Sequence, residues 1–171
     1  AEAEEAEAWD ATSAALTEAL KRLDAMRLAE GAALHDALLA HADELERHTA
    51  EVEARSPRRV EAHRARLAEK LEDLLGDDRL DRARLETEIA LIAEKLDVTE
   101  ETVRLRSHVA QFREALDADE PVGRRLNFIA QEMNREANTI ASKANDPALA
   151  EHAVGMKEAL EKIREQVANV V

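Results

Sequence analysis

The stretch from Pro121 to Asp146 constrains the fold more than any other part of the chain. It has no glycine or proline between Arg124 and Asn145, and its apolar residues recur at helical spacing. These residues are Leu126, Ile129, Met133, Ala137, Ile140 and Ala144. At about 100° per residue they fall within roughly 80° of one another. The stretch therefore predicts a helix with one buried face.

The other two faces of this predicted helix are polar. One face carries charged residues and a threonine: Arg125, Glu132, Glu136, Thr139 and Lys143. The other carries asparagines at Asn127, Asn134, Asn138 and Asn145. Because asparagine is unfavourable inside helices, this alignment favours a helix with neighbours on several sides.

The composition indicates that the rest of the chain is also helical. Charged residues make up 36% of the chain and aromatic residues only 2%, which is typical of long helices with thin apolar seams. No run alternates apolar and polar residues as a half-buried strand would. We predict an all-α protein of five or six helices, several of them long, in an elongated bundle. The predicted domain is 1–171.

Helix-breaking residues divide this domain into three parts. The first is a long helix over 1–55 with a coiled-coil-like seam, which includes Trp9, Leu16, Leu20, Leu23, Leu34, Leu38, Leu45 and Val52. Ser56 and Pro57 suit an N-cap and a first helical position, so central helices are expected over 57–120. The last part, 121–171, is a helical hairpin in which Asp146 caps the final helix.

Shorter signals mark the boundaries within these parts. A turn is predicted at 76–78 and a new helix from about Arg79. Residues 97–100 resemble a capping element, although they also suit a mild irregularity within one helix. Residues 117–123 are expected to form a loop.

The charge distribution separates one segment from the rest. The formal net charge is −14, which argues against a nucleic-acid partner held by bulk electrostatics. Residues 121–145, by contrast, carry 4 basic and 2 acidic side chains, a net charge of +2. There is no cysteine and no apolar run near the ~18 residues that a membrane span needs. We expect a cytoplasmic protein without a membrane partner.

Two groups of charged residues lie where the helical pattern does not require them. Arg27 and Glu30 occupy seam positions of the first helix, where they either set its register or reach into a polar site. Four arginines, Arg58, Arg59, Arg64 and Arg66, lie near the predicted start of the second helix. Since cations there oppose the helix dipole, they suggest contact with an anion or with the acidic first helix.

The predicted helix over 121–146 contains the strongest candidates for catalytic and ligand-binding residues. Phosphate-binding loops, nucleophile elbows and zinc-protease motifs are missing from the sequence. Glu132 and Glu136 form an i, i+4 pair that could bind a divalent cation through oxygen. Arg125 and Lys143 on the same face could hold phosphate oxygens, and Arg124 and Arg135 could extend that anion site. A row of ordinary salt bridges along the helix is the alternative.

Two consecutive segments of the sequence resemble a known protein family. The run VGRRLNFIAQEMNREANTIASKAND, preceded by EIALIAEKLDVTEETVRLRSHVAQF, resembles the C-terminal region of the YicC/YloC family of bacterial endoribonucleases. The matching motifs are G-R-R-L-x-F, Q-E-M-N-R-E-x-N-T and S-K, and AMRLAEGAAL resembles the family's M-R-x-x-E-G segment. The family pattern usually has aspartate at position 127, so Asn127 is not carried over as a catalytic residue.

The resemblance implies a metal-dependent endoribonuclease that cleaves single-stranded RNA as a ring-like homo-oligomer, a hexamer. DNA is not expected as a partner. The family's N-terminal α/β domain has no counterpart here, so we expect this chain to be the C-terminal half of a larger protein. A scaffold for oligomerisation, with catalysis or RNA binding elsewhere, is the main alternative, and a helical adaptor for a protein partner is a third.

Candidate residues follow from the matched positions. The candidate catalytic residues are Glu132, Glu136, His108 and Arg135. The candidate RNA-binding residues are Arg124, Arg125, Asn134, Asn138 and Lys143. The candidate ligands for Mn²⁺ or Mg²⁺ are Glu132, Glu136 and Glu30.

Overall fold

The computed structural model describes residues 2–75, 82–118 and 120–170. Within these ranges the chain forms five helices: α1 Glu2–Leu75, α2 Arg82–Leu96, α3 Thr99–Leu116, α4 Gly123–Lys143 and α5 Pro147–Val167. All regular secondary structure there is helical, which confirms the predicted all-α class. None of the described helices is apolar enough over a sufficient length to cross a membrane.

The chain divides into two compact units, Ala1–Ala37 and Leu38–Val171. The first unit is the N-terminal part of α1. Its predicted seam residues Trp9, Leu16, Leu20 and Leu23 are exposed, Trp9 to 70%. In the second unit the same helix buries Leu38, Leu45 and Val52 completely. The seam is therefore part of a core only in the second unit.

The predicted end of the first helix at Arg55 is wrong. α1 continues through Ser56 and Pro57 to Leu75. Proline lacks an amide hydrogen, so the bond that residue 57 would donate to the carbonyl of residue 53 is lost, and the proline ring also crowds that carbonyl. Ser56 is buried and Arg59 bonds to the ends of two other helices, so packing on both sides holds the helix together. Tertiary contacts therefore keep α1 continuous at Ser56 and Pro57, although these residues favour a helix break.

α4 packs against both α3 and α5, so it lies between them in the second unit. Five of its six predicted core residues are fully or almost fully buried: Leu126, Ile129, Met133, Ala137 and Ile140. The sixth, Ala144, is half-buried just beyond the helix end. Phe112 of α3 and Met156 of α5 are also fully buried. The periodicity of α4 thus identified the centre of the core.

Ion pairs join the buried part of α1 to α3. Arg113 donates to Asp43 and Glu46, each at 2.7 Å, and Arg106 lies 2.6 Å from Glu53. These arginines are partly exposed, so each pair adds little stability by itself. Together they set the register of α3 against α1.

A histidine pair joins α1 to α5. Nδ1 of His48 lies 3.2 Å from Nδ1 of His152, and Nε2 of His48 lies 3.1 Å from Arg47. Gly155 provides the space, because a Cβ atom at this position would lie 2.4 Å from the His48 ring. Burial, followed by the positive charges of Arg47 and His152, lowers the pKa of His48.

The predicted cap at Asp146 is confirmed, whereas the N-cap of α3 is Val98 and not Asp97 or Thr99. The Asp146 side chain accepts hydrogen bonds from the amides of Ala148 and Leu149 at the start of α5. The Asp97 carboxylate accepts from the backbone amide and the hydroxyl of Thr99, so α2 and α3 are separate helices. These bonds lower the pKa of Asp97. The predicted turn at 76–78, the predicted helix start at Arg79 and Asp119 of the 117–123 loop lie outside the described residues.

Candidate functional site

An open cleft of about 440 Å³ lies between α3 and α4. Its lining consists of Arg104 and His108 from α3 and Glu132, Arg135, Glu136 and Thr139 from α4. Arg104 and His108 are four positions apart on α3, and on α4 Glu132, Glu136 and Thr139 follow at spacings of four and three with Arg135 at the edge of the same face. The packing of α3 on α4 turns these two faces toward the same cleft.

Arg104 connects the acidic groups on one side of the cleft. Its Nε atom lies 3.1 Å from Oε1 of Glu136, and its Nη1 atom lies 3.1 Å from Oε2 of Glu100. The hydrogen bond to Glu136 is the main reason that the pKa of Arg104 is raised above its usual value. The Glu136 side chain is only 7% exposed. One oxygen of this nearly buried carboxylate is therefore committed to a cation on the neighbouring helix.

The charge network continues to the end of α4 through Glu101. The Glu101 carboxylate lies 3.7 Å from Arg104 and 2.9 Å from Nζ of Lys143. Lys143 also donates to the backbone carbonyl of Asp97 at 2.7 Å. Cations and carboxylates thus alternate across the α3–α4 interface. The predicted salt bridges do occur, but they run between helices as well as along α4.

Three groups in the cleft remain less constrained. Glu132 lies 3.7 Å from Arg135, whose side chain is 74% exposed. His108 is half-buried, and its side chain makes no hydrogen bond within the described ranges. An exposed arginine suits phosphate binding, and a histidine or carboxylate at hydrogen-bond reach suits proton transfer. The arrangement can therefore bind an anion and move a proton beside it.

The other predicted RNA-binding residues are distributed along α4. Arg124 and Asn138 are exposed, Asn134 is half-buried, and Arg125 lies 3.9 Å from Glu114. Lys143 differs because its ammonium group already contacts two acceptors, so its contacts support a structural role.

The predicted metal ligands are only partly brought together. Glu132 and Glu136 face the same cleft. Glu30 is exposed in the Ala1–Ala37 unit, so its role as a third ligand stays a prediction. In the part of the chain that the structure describes, no three histidine, aspartate or glutamate side chains cluster closely enough to hold a metal ion. The cleft offers two carboxylates, and one of these already pairs with Arg104.

Two further residues were missing from the predicted site. The first is Arg104, whose importance depends on its contact with α4. The second is Phe128, which is 63% exposed although large aromatic side chains usually lie inside. Phe128 belongs to a row of exposed residues along one face of α4, the α4 stripe: Arg124, Phe128, Gln131, Arg135, Asn138 and Ser142. Their spacing of three or four residues is visible in the sequence and could have identified the row.

Comparison with known proteins agrees with the resemblance in the motifs. Residues 52–171 match the family model described as Endoribonuclease YicC-like, C-terminal. A protein from Clostridioides difficile named probable endoribonuclease YicC is 39% identical over 163 residues, which are 95% of this chain and 56% of that protein. A protein of the same name from Haemophilus influenzae is 38% identical over 146 residues, covering 85% of this chain and 50% of that protein. The chain spans about half the length of these curated relatives.

Proposed function

Because the chain belongs to the YicC-like endoribonuclease family, we propose that the cleft between α3 and α4 cleaves single-stranded RNA. The observation that carries the proposal is the placement of His108 and Arg135 beside Glu132 and Glu136 in an open cleft. This set combines a phosphate-binding cation with groups able to transfer a proton. We also propose a cytoplasmic location, where such a substrate is available.

Arg135 is the proposed first contact for the scissile phosphate. Its guanidinium group is largely exposed, and the one ion pair that it makes with a described residue, Glu132, is long at 3.7 Å. A guanidinium can donate two parallel hydrogen bonds to phosphate oxygens, which would orient the phosphodiester in the cleft. Arg104 is held by Glu136 and Glu100, so its proposed role is to position the Glu136 carboxylate.

His108 is the proposed proton-transfer group. A histidine side chain can both accept and donate a proton in general acid–base catalysis. It lies across the cleft from Glu132 and Arg135, and no hydrogen bond within the described chain restrains its ring nitrogens. In the proposal a water attacks the phosphorus, and His108 either takes a proton from that water as the new P–O bond forms or gives one to the oxygen that leaves as the old P–O bond breaks.

Mn²⁺ or Mg²⁺ is a further part of the proposal, with Glu132 and Glu136 as the residues that would hold it. Mg²⁺ commonly binds through one or two carboxylates together with phosphate oxygens of a substrate, so two carboxylates are compatible with it. Such an ion would stabilise negative charge that develops on the phosphate.

The α4 stripe is the proposed path for the RNA next to the cleft. Arg124 and Arg135 supply positive charge, and Phe128 presents an exposed ring between them. Nucleic-acid bases stack on such rings without regard to sequence, which suits single-stranded RNA. The stripe shares Arg135 with the cleft, so bound RNA would run directly into it.

A second candidate function is an oligomerisation scaffold. Trp9, Leu16, Leu20 and Leu23 are exposed on one helix, and a homo-oligomer such as a hexamer would cover them. The net charge of −14 also makes the chain as a whole a poor phosphate binder. Light scattering tests this candidate, since a monomer at micromolar concentration would contradict it.

Cleavage of a short labelled RNA tests the proposed activity. His108→Gln and Glu132→Gln should each reduce the rate at least a hundredfold, which is the usual size of a general acid–base contribution. Glu165→Gln is the matched control, because Glu165 is exposed on α5 and its side chain makes no ion pair within the described chain. Wild-type cleavage rates in both cleft variants would refute the assignment of the cleft as the active site. Cleavage that continues in the presence of EDTA would refute the proposed metal dependence.

A further inference from the structure

A second depression, of about 560 Å³, lies next to the C-terminal end of α4. One wall is a face of α1 that carries four arginines and a histidine: Arg55, Arg58, Arg59, His63 and Arg66. The opposite wall is the α4–α5 junction, including Asn145 and Asp146. We call this the arginine depression.

The arginine depression depends on the continuity of α1 through Pro57. Arg55, Arg59 and Arg66 lie on one side of a helix only if the helical register is unbroken between them. Arg64 belongs to the same cluster in the sequence, but it is exposed outside the depression. Arg58, Arg59 and Arg66 therefore line the depression, whereas Arg64 does not.

Arg59 has a structural role in this wall. Its Nη1 atom donates to the carbonyl of Lys143 at 2.8 Å, and its Nη2 atom donates to the carbonyl of Leu96. Burial lowers the pKa of Arg59, although Asp146 and Asp97 act in the opposite direction. Its Nε atom is buried without a hydrogen-bond partner in the described chain. Arg59 thus connects the wall to the ends of α2 and α4 and retains one unused donor.

The remaining cations have few counter-charges. Arg55 pairs with Glu51 at 3.3 Å. In the part of the chain that the structure describes, the side chains of Arg58, His63 and Arg66 make no ion pair or hydrogen bond. The carboxylate of Asp146 is engaged by the first amides of α5. Positive charge is therefore concentrated here in a chain whose overall charge is −14.

We propose that the arginine depression binds backbone phosphates of the RNA strand whose cleavage is proposed for the α3–α4 cleft. Arg58 and Arg66 would donate to phosphate oxygens, with their guanidinium groups replacing counterions. This proposal deepens the proposed function and rests on it. It gives the RNA a second anchoring point, made from a different pair of elements.

The position of the depression suits one RNA strand that reaches both sites. Thr139 lines the cleft, and the carbonyl of Lys143 accepts a hydrogen bond from Arg59 in the wall of the depression. These two residues are four positions apart, about 6 Å along the axis of α4. The cleft and the arginine depression therefore both border the C-terminal part of α4.

Fluorescence anisotropy with a labelled 2′-O-methyl oligonucleotide in EDTA tests the proposal, because this probe measures binding without cleavage. Arg58→Ala and Arg66→Ala should each weaken binding three- to tenfold and reduce the slope of log K against log salt by about one. Arg64→Ala is the matched control, with the same charge on the same helix but outside the depression. It should stay within twofold of wild type.

Three results would overturn the proposal: no binding of the probe by the wild-type chain, equal losses in Arg64→Ala and Arg66→Ala, or full displacement of the probe by equimolar inorganic phosphate. The second result would indicate a diffuse charge effect, and the third a small-anion site. Cleavage of unmodified RNA is measured separately. If the wild-type chain binds the probe through Arg58 and Arg66 but cleaves nothing, the proposed activity fails while the phosphate site stands.

Discussion

Replacement of Gly155 by alanine would test how closely α1 and α5 pack around His48. A Cβ atom at position 155 would lie 2.4 Å from both Cε1 and Nε2 of the imidazole ring. The ring would have to move, and its 3.2 Å contact with His152 would be lost. Since His48 is a side chain and not backbone, it can move without unfolding the helix pair.

The expected change in the free energy of unfolding is the sum of opposing contributions. Alanine in place of glycine stabilises a helix interior by about 1 kcal/mol. Overpacking costs about 1–3 kcal/mol, and the loss of a hydrogen bond costs about 1 kcal/mol. We expect Gly155→Ala to lower the free energy of unfolding by about 1–3 kcal/mol. In a His48→Ala background the obstruction is gone, so the same substitution should stabilise by about 1 kcal/mol.

Urea denaturation of the wild type, the two single variants and the double variant measures both values at one pH. The diagnostic result is the reversal of sign between the two backgrounds. If Gly155→Ala changes the free energy of unfolding by the same amount and in the same direction in both backgrounds, His48 does not occupy the space beside Gly155. The described packing is then wrong.

Further predictions concern stability and RNA binding. The pKa of His48 is lowered by burial and by Arg47, so the unfolded chain binds this proton more readily. Stability should fall as the pH drops below about 6.5 toward the pKa in the folded state, and denaturation of His48→Gln should show a smaller decrease. Phe128→Ala should weaken binding of single-stranded RNA by about 1–3 kcal/mol, whereas Val103→Ala, at another exposed apolar position, should leave it unchanged. Lys143→Met should lower the free energy of unfolding by about 2 kcal/mol, because Glu101 is 8% exposed and would lose a partner. An unchanged denaturation midpoint in Lys143→Met would contradict its structural role.

Helical periodicity and capping residues were sufficient to predict much of the fold. The spacing of Leu126, Ile129 and Met133 identified the buried face of α4, because helical periodicity places such residues on one side wherever the helix lies. Asp146 followed by Pro147, and Asp97 followed by Thr99, identified helix starts for an equally local reason. Each of these signals depends on residues within one or two turns of each other.

Local rules failed where distant residues determine the outcome. Ser56 and Pro57 are a strong stop signal, but Ser56 is buried and Arg59 bonds to the carbonyls of Lys143 and Leu96. No feature within a few residues of Pro57 contains this information.

For the candidate site, the sequence by itself determined the family and the polar faces of α4, because motif spacing and helical periodicity are properties of a single segment. Only the tertiary structure decided which charges meet. It pairs Glu136 with Arg104, binds Lys143 to Glu101 and the carbonyl of Asp97, and leaves Phe128 exposed. The physical reason is that an ion pair between helices depends on how the helices pack, and packing is set by the whole core.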